Sequence, residues 1–175
     1  MTPAGRPWQG AQPVHGSADT SYRRIGEEGA LLSYLIDTNV ISELRKGKRC
    51  DEHVANWFAN ITEDEIFFSV LTIGELRRGI ERIQRRDKNS ASALNRWLRG
   101  LIGASQDRIL NVDRAVAEEW GRMNVSDPLP VIDSLLAATA KIHGLALVTR
   151  NTRDIVRTGV SCLNPFLENS LPHET

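Results

Sequence analysis

The sequence predicts an α/β fold in which helices cover both faces of a central parallel sheet, and three observations support this. Short apolar runs of strand length alternate along the chain with segments of helical period. Residues 130–144 (PVIDSLLAATAKIHG) are almost wholly apolar, as expected of a helix buried against a sheet. The 175 residues are 41% hydrophobic and 25% charged, which is ordinary for one soluble domain.

The predicted elements follow one another regularly from residue 33. Five apolar runs are predicted strands: 33–38 (SYLIDT), 65–70 (EIFFSV), 108–112 (RILNV), 145–150 (LALVTR) and 160–164 (VSCLN). Amphipathic or apolar segments of helical period predict helices at 39–46, 51–61, 72–86, 90–103, 113–123 and 130–144. Asp113 is the expected N-cap of the fifth helix, and Gly144 is expected to end the sixth.

The chain divides into a leader, one domain and a tail. Residues 1–31 are rich in Gly, Pro, Ser and Gln and have no apolar period, which is typical of disorder. We therefore expect the domain at residues 32–168 and a flexible tail at 169–175. One hypothesis is that translation starts at Leu32, because Glu27-Glu28-Gly29 can be encoded by a purine-rich ribosome-binding run. The alternative is a genuine disordered leader.

Charge and cysteine content limit the classes of partner. Lys plus Arg and Asp plus Glu both number 22, so any anionic ligand must be held by a local patch rather than by net charge. Cys50 and Cys162 form neither a CxxC pair nor a disulfide framework, which suggests a reducing cytosol. No apolar run approaches the ~20 residues that cross a bilayer. We expect a cytoplasmic protein without a membrane partner.

Acidic residues fall where the predicted strands and helices meet. Asp37 ends the first strand, and Glu75 lies in the first turn of the helix after the second. Asp133 lies near the start of the buried helix, and Asn151 and Asp154 follow the fourth strand. Because ligands of parallel α/β sheets bind beyond the carboxyl ends of the strands, we expect these side chains to converge on one edge.

Such a cluster requires neutralisation. Two carboxylates ~4 Å apart repel by about 4 kcal/mol at an effective dielectric constant of 20. Protons or a cation must therefore compensate the charge. Oxygen ligands without His or Cys favour Mg²⁺ or Mn²⁺, and a carboxylate pocket holding such an ion suits phosphodiester chemistry.

Each acid also has a purely structural explanation. Glu75 completes a capping-box pattern with Thr72, Asp133 is favourable to a helix dipole, and Asp154 can cap a short helix. Asp37 is the hardest to explain by packing alone. It invites comparison with phosphatases that have a nucleophilic Asp after the first strand, but these need a second Asp where this chain has Asn39.

Four separated blocks of sequence together resemble the PIN domain, and more closely its VapC-type toxin branch with the FitB-like proteins. They are LIDTNVISE, SVLTIGELRRGI, VIDSLLAATAKIHGLALVTRNTRD and LNPF, between residue 33 and about residue 167. The resemblance implies a three-layer α/β/α sandwich and Mg²⁺- or Mn²⁺-dependent endoribonuclease activity on RNA. It also implies a VapB-type antitoxin that occludes the site and binds operator DNA, so that the toxin meets DNA only indirectly.

The resemblance also assigns residues by position. Asp37 and Asp133 match the firmest metal ligands, and Glu75 matches the second acid. At the fourth position Asp154 is the catalytic candidate, with Asn151 as the alternative. Polar residues expected to line the pocket are Thr38, Thr149 and, as a weaker candidate, Ser69.

Basic residues near the fourth acid are candidates for holding RNA. The candidates for phosphate contacts are Arg150, Arg153 and Arg157. A second row, Arg78, Arg82 and Arg85, is better explained as a solvated helix face with pairs such as Glu81–Arg85.

Two other functions remain open from the sequence, a weakly catalytic PIN domain acting through an antitoxin–DNA complex and a metal-dependent phosphatase. Homodimer formation through Trp97 and Leu101 is a further alternative, although their spacing favours burial in the core.

Overall fold

Five parallel strands form the centre of the fold in a computed structural model, which describes residues 33–125 and 128–168. The strands are β1 (Tyr34–Ile36), β2 (Ile66–Ser69), β3 (Ile109–Leu110), β4 (Ala146–Val148) and β5 (Cys162–Leu163). Their order across the sheet is β3-β2-β1-β4-β5, and every neighbouring pair is parallel. The predicted parallel α/β sheet is confirmed. The leader at 1–31 and the tail at 169–175 lie outside the described residues.

The strand order creates a crevice beside β1. From β1 the chain moves to β2 and β3 on one side, then to β4 and β5 on the other. The carboxyl ends of β1 and β4 therefore border the point where the winding direction reverses, which is where open α/β sheets bind ligands. Asp37 and Thr149 directly follow these two strands.

The six predicted helices are present in the predicted order, and a short seventh helix follows β4. They are α1 (Thr38–Leu44), α2 (Glu52–Ala59), α3 (Val70–Gln84), α4 (Lys88–Ala104), α5 (Arg114–Met123), α6 (Val131–His143) and the short α7 (Thr152–Ile155). Asp113 caps α5 by accepting a hydrogen bond from the Val116 N–H, and Gly144 ends α6 with φ of 63°. None of these helices, in the part of the chain that the structure describes, has the length and apolar character of a bilayer span.

Alternate strand residues pack against different helix layers, because side chains along a strand point to opposite faces. On β1, Tyr34 and Ile36 belong to the core cluster that contains buried residues of α1 to α4. Leu35 between them packs with the second cluster, which includes Leu136 of α6 and Ile155 of α7. The result is the expected three-layer sandwich.

The structure decides the alternatives for the apolar face of α4. Leu101 is only 1% exposed and Trp97 is partly buried against the first core cluster. Leu101 therefore belongs to the core, as its spacing predicted, whereas Trp97 packs against the core and stays partly exposed.

Candidate metal centre

Three acids from separate elements approach the carboxyl edge of the sheet. Asp37 joins β1 to α1, and its backbone N–H donates to the Val148 carbonyl of β4 at 3.0 Å. Asp133 lies in the first turn of α6, and Glu75 lies in the second turn of α3. All three side chains are partly buried. The fold thus brings distant parts of the chain to one place.

The carboxylate of Asp37 is held by three donors. The Thr149 hydroxyl donates to Asp37 Oδ2 at 2.6 Å, and the Asn39 amide donates to the same oxygen. The Thr38 backbone N–H donates to Asp37 Oδ1, which makes Asp37 the N-cap of α1. Asp37 therefore has a structural role in addition to any ligand role, and the sequence pattern did not show it.

The electrostatic setting of Asp37 opposes its ionisation. Burial raises the pKa of Asp37, and the negative charges of Asp133 and Glu75 raise it further. Hydrogen bonds from Thr149 and Thr38 act in the opposite direction but do not reverse the shift. The carboxylates are thus within electrostatic range of one another, so a cation at this edge would relieve both repulsion and desolvation.

Asn39 is a site residue that the sequence reasoning missed. Its amide donates to Thr149 Oγ1 at 3.1 Å as well as to Asp37, and its Oδ1 accepts from the Arg150 N–H at 3.1 Å. One side chain therefore joins the residues that follow β1 to those that follow β4. Its position in the first turn of α1, two residues after Asp37, was the available signal.

Glu75 is oriented by Thr38, the first residue of α1, and by Arg78. The Thr38 hydroxyl donates to Glu75 Oε2 at 2.7 Å, and Arg78 Nη2 lies 3.3 Å from Glu75 Oε1. The capping-box explanation of Glu75 is wrong, because α3 starts before Thr72. Ser69 is the N-cap and accepts from the Leu71 N–H at 3.2 Å, so this weaker pocket candidate has a capping role.

Asp133 is linked to the loop after β4 through Asn151. Asn151 Nδ2 donates to Asp133 Oδ2 at 3.1 Å, and the Asn151 N–H donates to Thr149 Oγ1 at 3.1 Å. Asp154 instead lies inside α7, with its Oδ1 3.6 Å from Arg157 Nη2. Asp154 therefore does not precede α7 as its cap, and its described ion pair is with Arg157.

The ligand types at this edge limit the kind of ion that could bind there. Among residues 33–125 and 128–168, no three His, Cys or acidic side chains lie close enough together to form a ready-made metal site. Each acid accepts a hydrogen bond from a neutral hydroxyl or amide group, and Glu75 also pairs with Arg78. The available donors are carboxylate, hydroxyl and amide oxygens, a set that suits Mg²⁺ or Mn²⁺.

The arginines near this edge differ in their surroundings. Arg150 is exposed, and its guanidinium carbon lies 3.8 Å from the centre of the Phe166 ring. Arg153 is exposed, and Arg157 pairs with Asp154. On α3, Glu81 pairs with Arg77 at 3.9 Å rather than with Arg85 as predicted.

Comparison with known proteins gives consistent matches over the domain. The model of the PIN domain matches residues 34–160. Toxin FitB from Neisseria gonorrhoeae is 28% identical over 137 residues, covering 75% of this chain and 97% of the relative. VapC ribonuclease Y4jK from Sinorhizobium fredii is 30% identical over 137 residues, covering 75% and 96%. In the solved structure of FitAB bound to an IR36 DNA fragment, a chain with 26% identity aligns with a TM-score of 0.71, covering 78% of this chain and 97% of that one.

Replacing Asp37 with Asn should stabilise the fold at neutral pH in the presence of EDTA. A carboxyl whose pKa is raised by folding stabilises the native state when protonated, and this contribution is lost as the pH rises through the raised pKa. The gain of Asp37→Asn over the parent should therefore be greatest at neutral pH and fade in acid. Urea unfolding across this pH range measures the difference.

The matched control for this prediction is Asp107→Asn, an exposed acid that precedes β3 at the amino end of the strands. This variant should show no comparable pH-dependent gain. A stability gain of Asp37→Asn that grows toward acid pH would contradict the electrostatic account.

Proposed function

The chain belongs to the PIN-domain family, in its VapC and FitB-like toxin branch, and on that premise we propose that it is a Mg²⁺- or Mn²⁺-dependent endoribonuclease. The observation that carries the proposal is the setting of Asp37. This partly buried carboxylate has a raised pKa and lies within electrostatic range of Asp133 and Glu75. The name of the Sinorhizobium fredii relative, a VapC ribonuclease, supports RNA as the substrate.

The chain's own residues have separable roles in this proposal. Asp37 and Asp133 would hold the ion, with Glu75 contributing directly or through water. Thr149 and Asn39 hold the Asp37 carboxylate in place, while Thr38 does the same for Glu75. When bound, Mg²⁺ or Mn²⁺ would lower the pKa of the water molecule that it coordinates and would neutralise negative charge on the phosphate.

RNA has to be held by local positive charge, because the chain has no net charge. Arg150 and Arg153 are exposed beside the carboxyl end of β4, and Arg157 lies one helical turn further on. We assign phosphate contacts to these three arginines, with the ion pair to Asp154 reducing the contribution of Arg157.

A VapB-type antitoxin is the proposed protein partner. A cavity of about 230 Å³ lies between α1, α3 and α4, and its apolar wall includes Leu76, Ile80 and Trp97. Thr38 and Glu75 line the same cavity, so a segment seated there would reach the acidic edge. The solved structure of FitAB bound to a DNA fragment supports a complex that binds DNA, and we expect the antitoxin rather than this chain to make the DNA contacts.

Purified protein without its partner should cleave RNA in the presence of Mg²⁺ or Mn²⁺, and EDTA should abolish cleavage. Asp37→Asn should lower the cleavage rate by on the order of 100-fold or more, because loss of an outer partner of a metal ligand alone typically costs 10- to 100-fold. Gel analysis of an RNA pool measures the rate, and Asp107→Asn should cleave like the parent.

Three results would redirect the proposal. Parent-like cleavage by Asp37→Asn would refute the metal assignment. Absence of cleavage with either ion would favour the weakly catalytic alternative, in which the protein acts through its antitoxin–DNA complex. Hydrolysis of a chromogenic phosphomonoester without RNA cleavage would favour a metal-dependent phosphatase.

We propose Asn151 rather than Asp154 for the fourth position of the site. Asn151 contacts both Asp133 and Thr149, whereas the described ion pair of Asp154 is with Arg157. Asn151→Ala should lower the initial cleavage rate roughly tenfold or more, and Asp154→Asn should have a smaller effect. A larger loss in Asp154→Asn than in Asn151→Ala would return the position to Asp154.

A further inference from the structure

Arg150 is an exposed residue whose backbone is fixed on both sides. Its N–H donates to Asn39 Oδ1 at 3.1 Å, and its carbonyl accepts from Asn164 Nδ2 at 3.3 Å. Asn39 also donates to Asp37, so a single side chain sets the position of the Arg150 backbone relative to the acidic edge.

The side chain of Arg150 is also supported. Its guanidinium carbon lies 3.8 Å from the centroid of the Phe166 ring, a stacking distance for a cation on an aromatic face. Phe166 is itself held, since its N–H donates to Asn164 Oδ1 at 3.1 Å and its ring packs against the first core cluster. The ring is therefore a fixed platform under a solvent-exposed positive charge.

An exposed arginine normally samples many rotamers, and ordering it on binding reduces affinity. Here the stack on Phe166 restricts the side chain before any ligand arrives. A planar guanidinium held in one orientation is well suited to a phosphate, which it can contact with two N–H groups.

We propose that the turn Asn164–Phe166 preorganises Arg150 to bind an RNA phosphate beside the acidic edge, with Phe166 as a positioning residue that acts through Arg150. This inference rests on the proposed nuclease function. It gives Asn164 and Phe166 of the LNPF block, residues 163–166, a role in addition to the packing of Phe166 against the core.

The test is RNA binding by the full chain carrying Asp37→Asn, in EDTA, so that no cleavage occurs. The probe is a fluorescein-labelled single-stranded RNA of mixed sequence, followed by anisotropy. Phe166→Leu keeps an apolar side chain but removes the aromatic face, and should weaken binding roughly two- to fivefold. Phe166→Tyr keeps the face and should bind like the parent.

Changes at Arg150 test the same contact without touching the core. Arg150→Lys keeps the charge but loses the planar stack, and should weaken binding about as much as Phe166→Leu. Arg150→Ala should weaken binding further and reduce the slope of log affinity against log salt by about 0.7, the value for one phosphate on a single strand. In the Arg150→Ala background, Phe166→Leu should have no additional effect.

The proposal is overturned if Phe166→Leu weakens binding equally with and without Arg150, because Phe166 then acts on its own. An Arg150→Ala variant with an unchanged salt slope also overturns it, since the contact is then not to a phosphate. If the Asp37→Asn chain binds no RNA at all and the unsubstituted chain cleaves none with Mg²⁺ or Mn²⁺, the nuclease proposal fails as well. If the unsubstituted chain cleaves RNA but the Arg150 and Phe166 variants bind RNA like the parent, this inference fails and the nuclease proposal stands.

Discussion

The account depends on one electrostatic constraint, the gathering of negative charge at a sheet edge that partly excludes water. Asp37 lies at the carboxyl end of the central strand, and both burial and the charges of Asp133 and Glu75 raise its pKa. Hydroxyl and amide groups donate hydrogen bonds to these acids, and Arg78 pairs with Glu75. A divalent cation bound at this edge would relieve the repulsion and take carboxylate oxygens as ligands.

The elements of the fold were predictable because each carries its own periodicity. β1 is an apolar run, α6 is apolar almost throughout, and Asp113 and Gly144 act at helix ends as their types predict. The start of α3 could not be predicted from local sequence. Thr72 and Glu75 have the spacing of a capping box, but Ser69 is the actual N-cap. Local patterns cannot distinguish two overlapping capping options, since the choice is made by the strand that precedes the helix.

The sequence could indicate which residues lie at the carboxyl edge of the sheet, because the segments that follow parallel strands all lie at that edge. The hydrogen bonds that link those residues could not be predicted. Asn39 contacts Thr149, which lies 110 positions away, and Phe166 stacks on Arg150 after a separate strand. Such contacts depend on strand order and register, which one sequence does not reveal. The choice between Asn151 and Asp154 is of the same kind.

The most direct test of the central claim is anomalous diffraction from crystals of the full chain grown with Mn²⁺. The account predicts a manganese peak within coordination distance of the carboxylates of Asp37 and Asp133, with Glu75 turned toward it directly or through water. Manganese bound only at other surface acids, with Asp37 and Asp133 left without an ion at saturating Mn²⁺, would contradict the account.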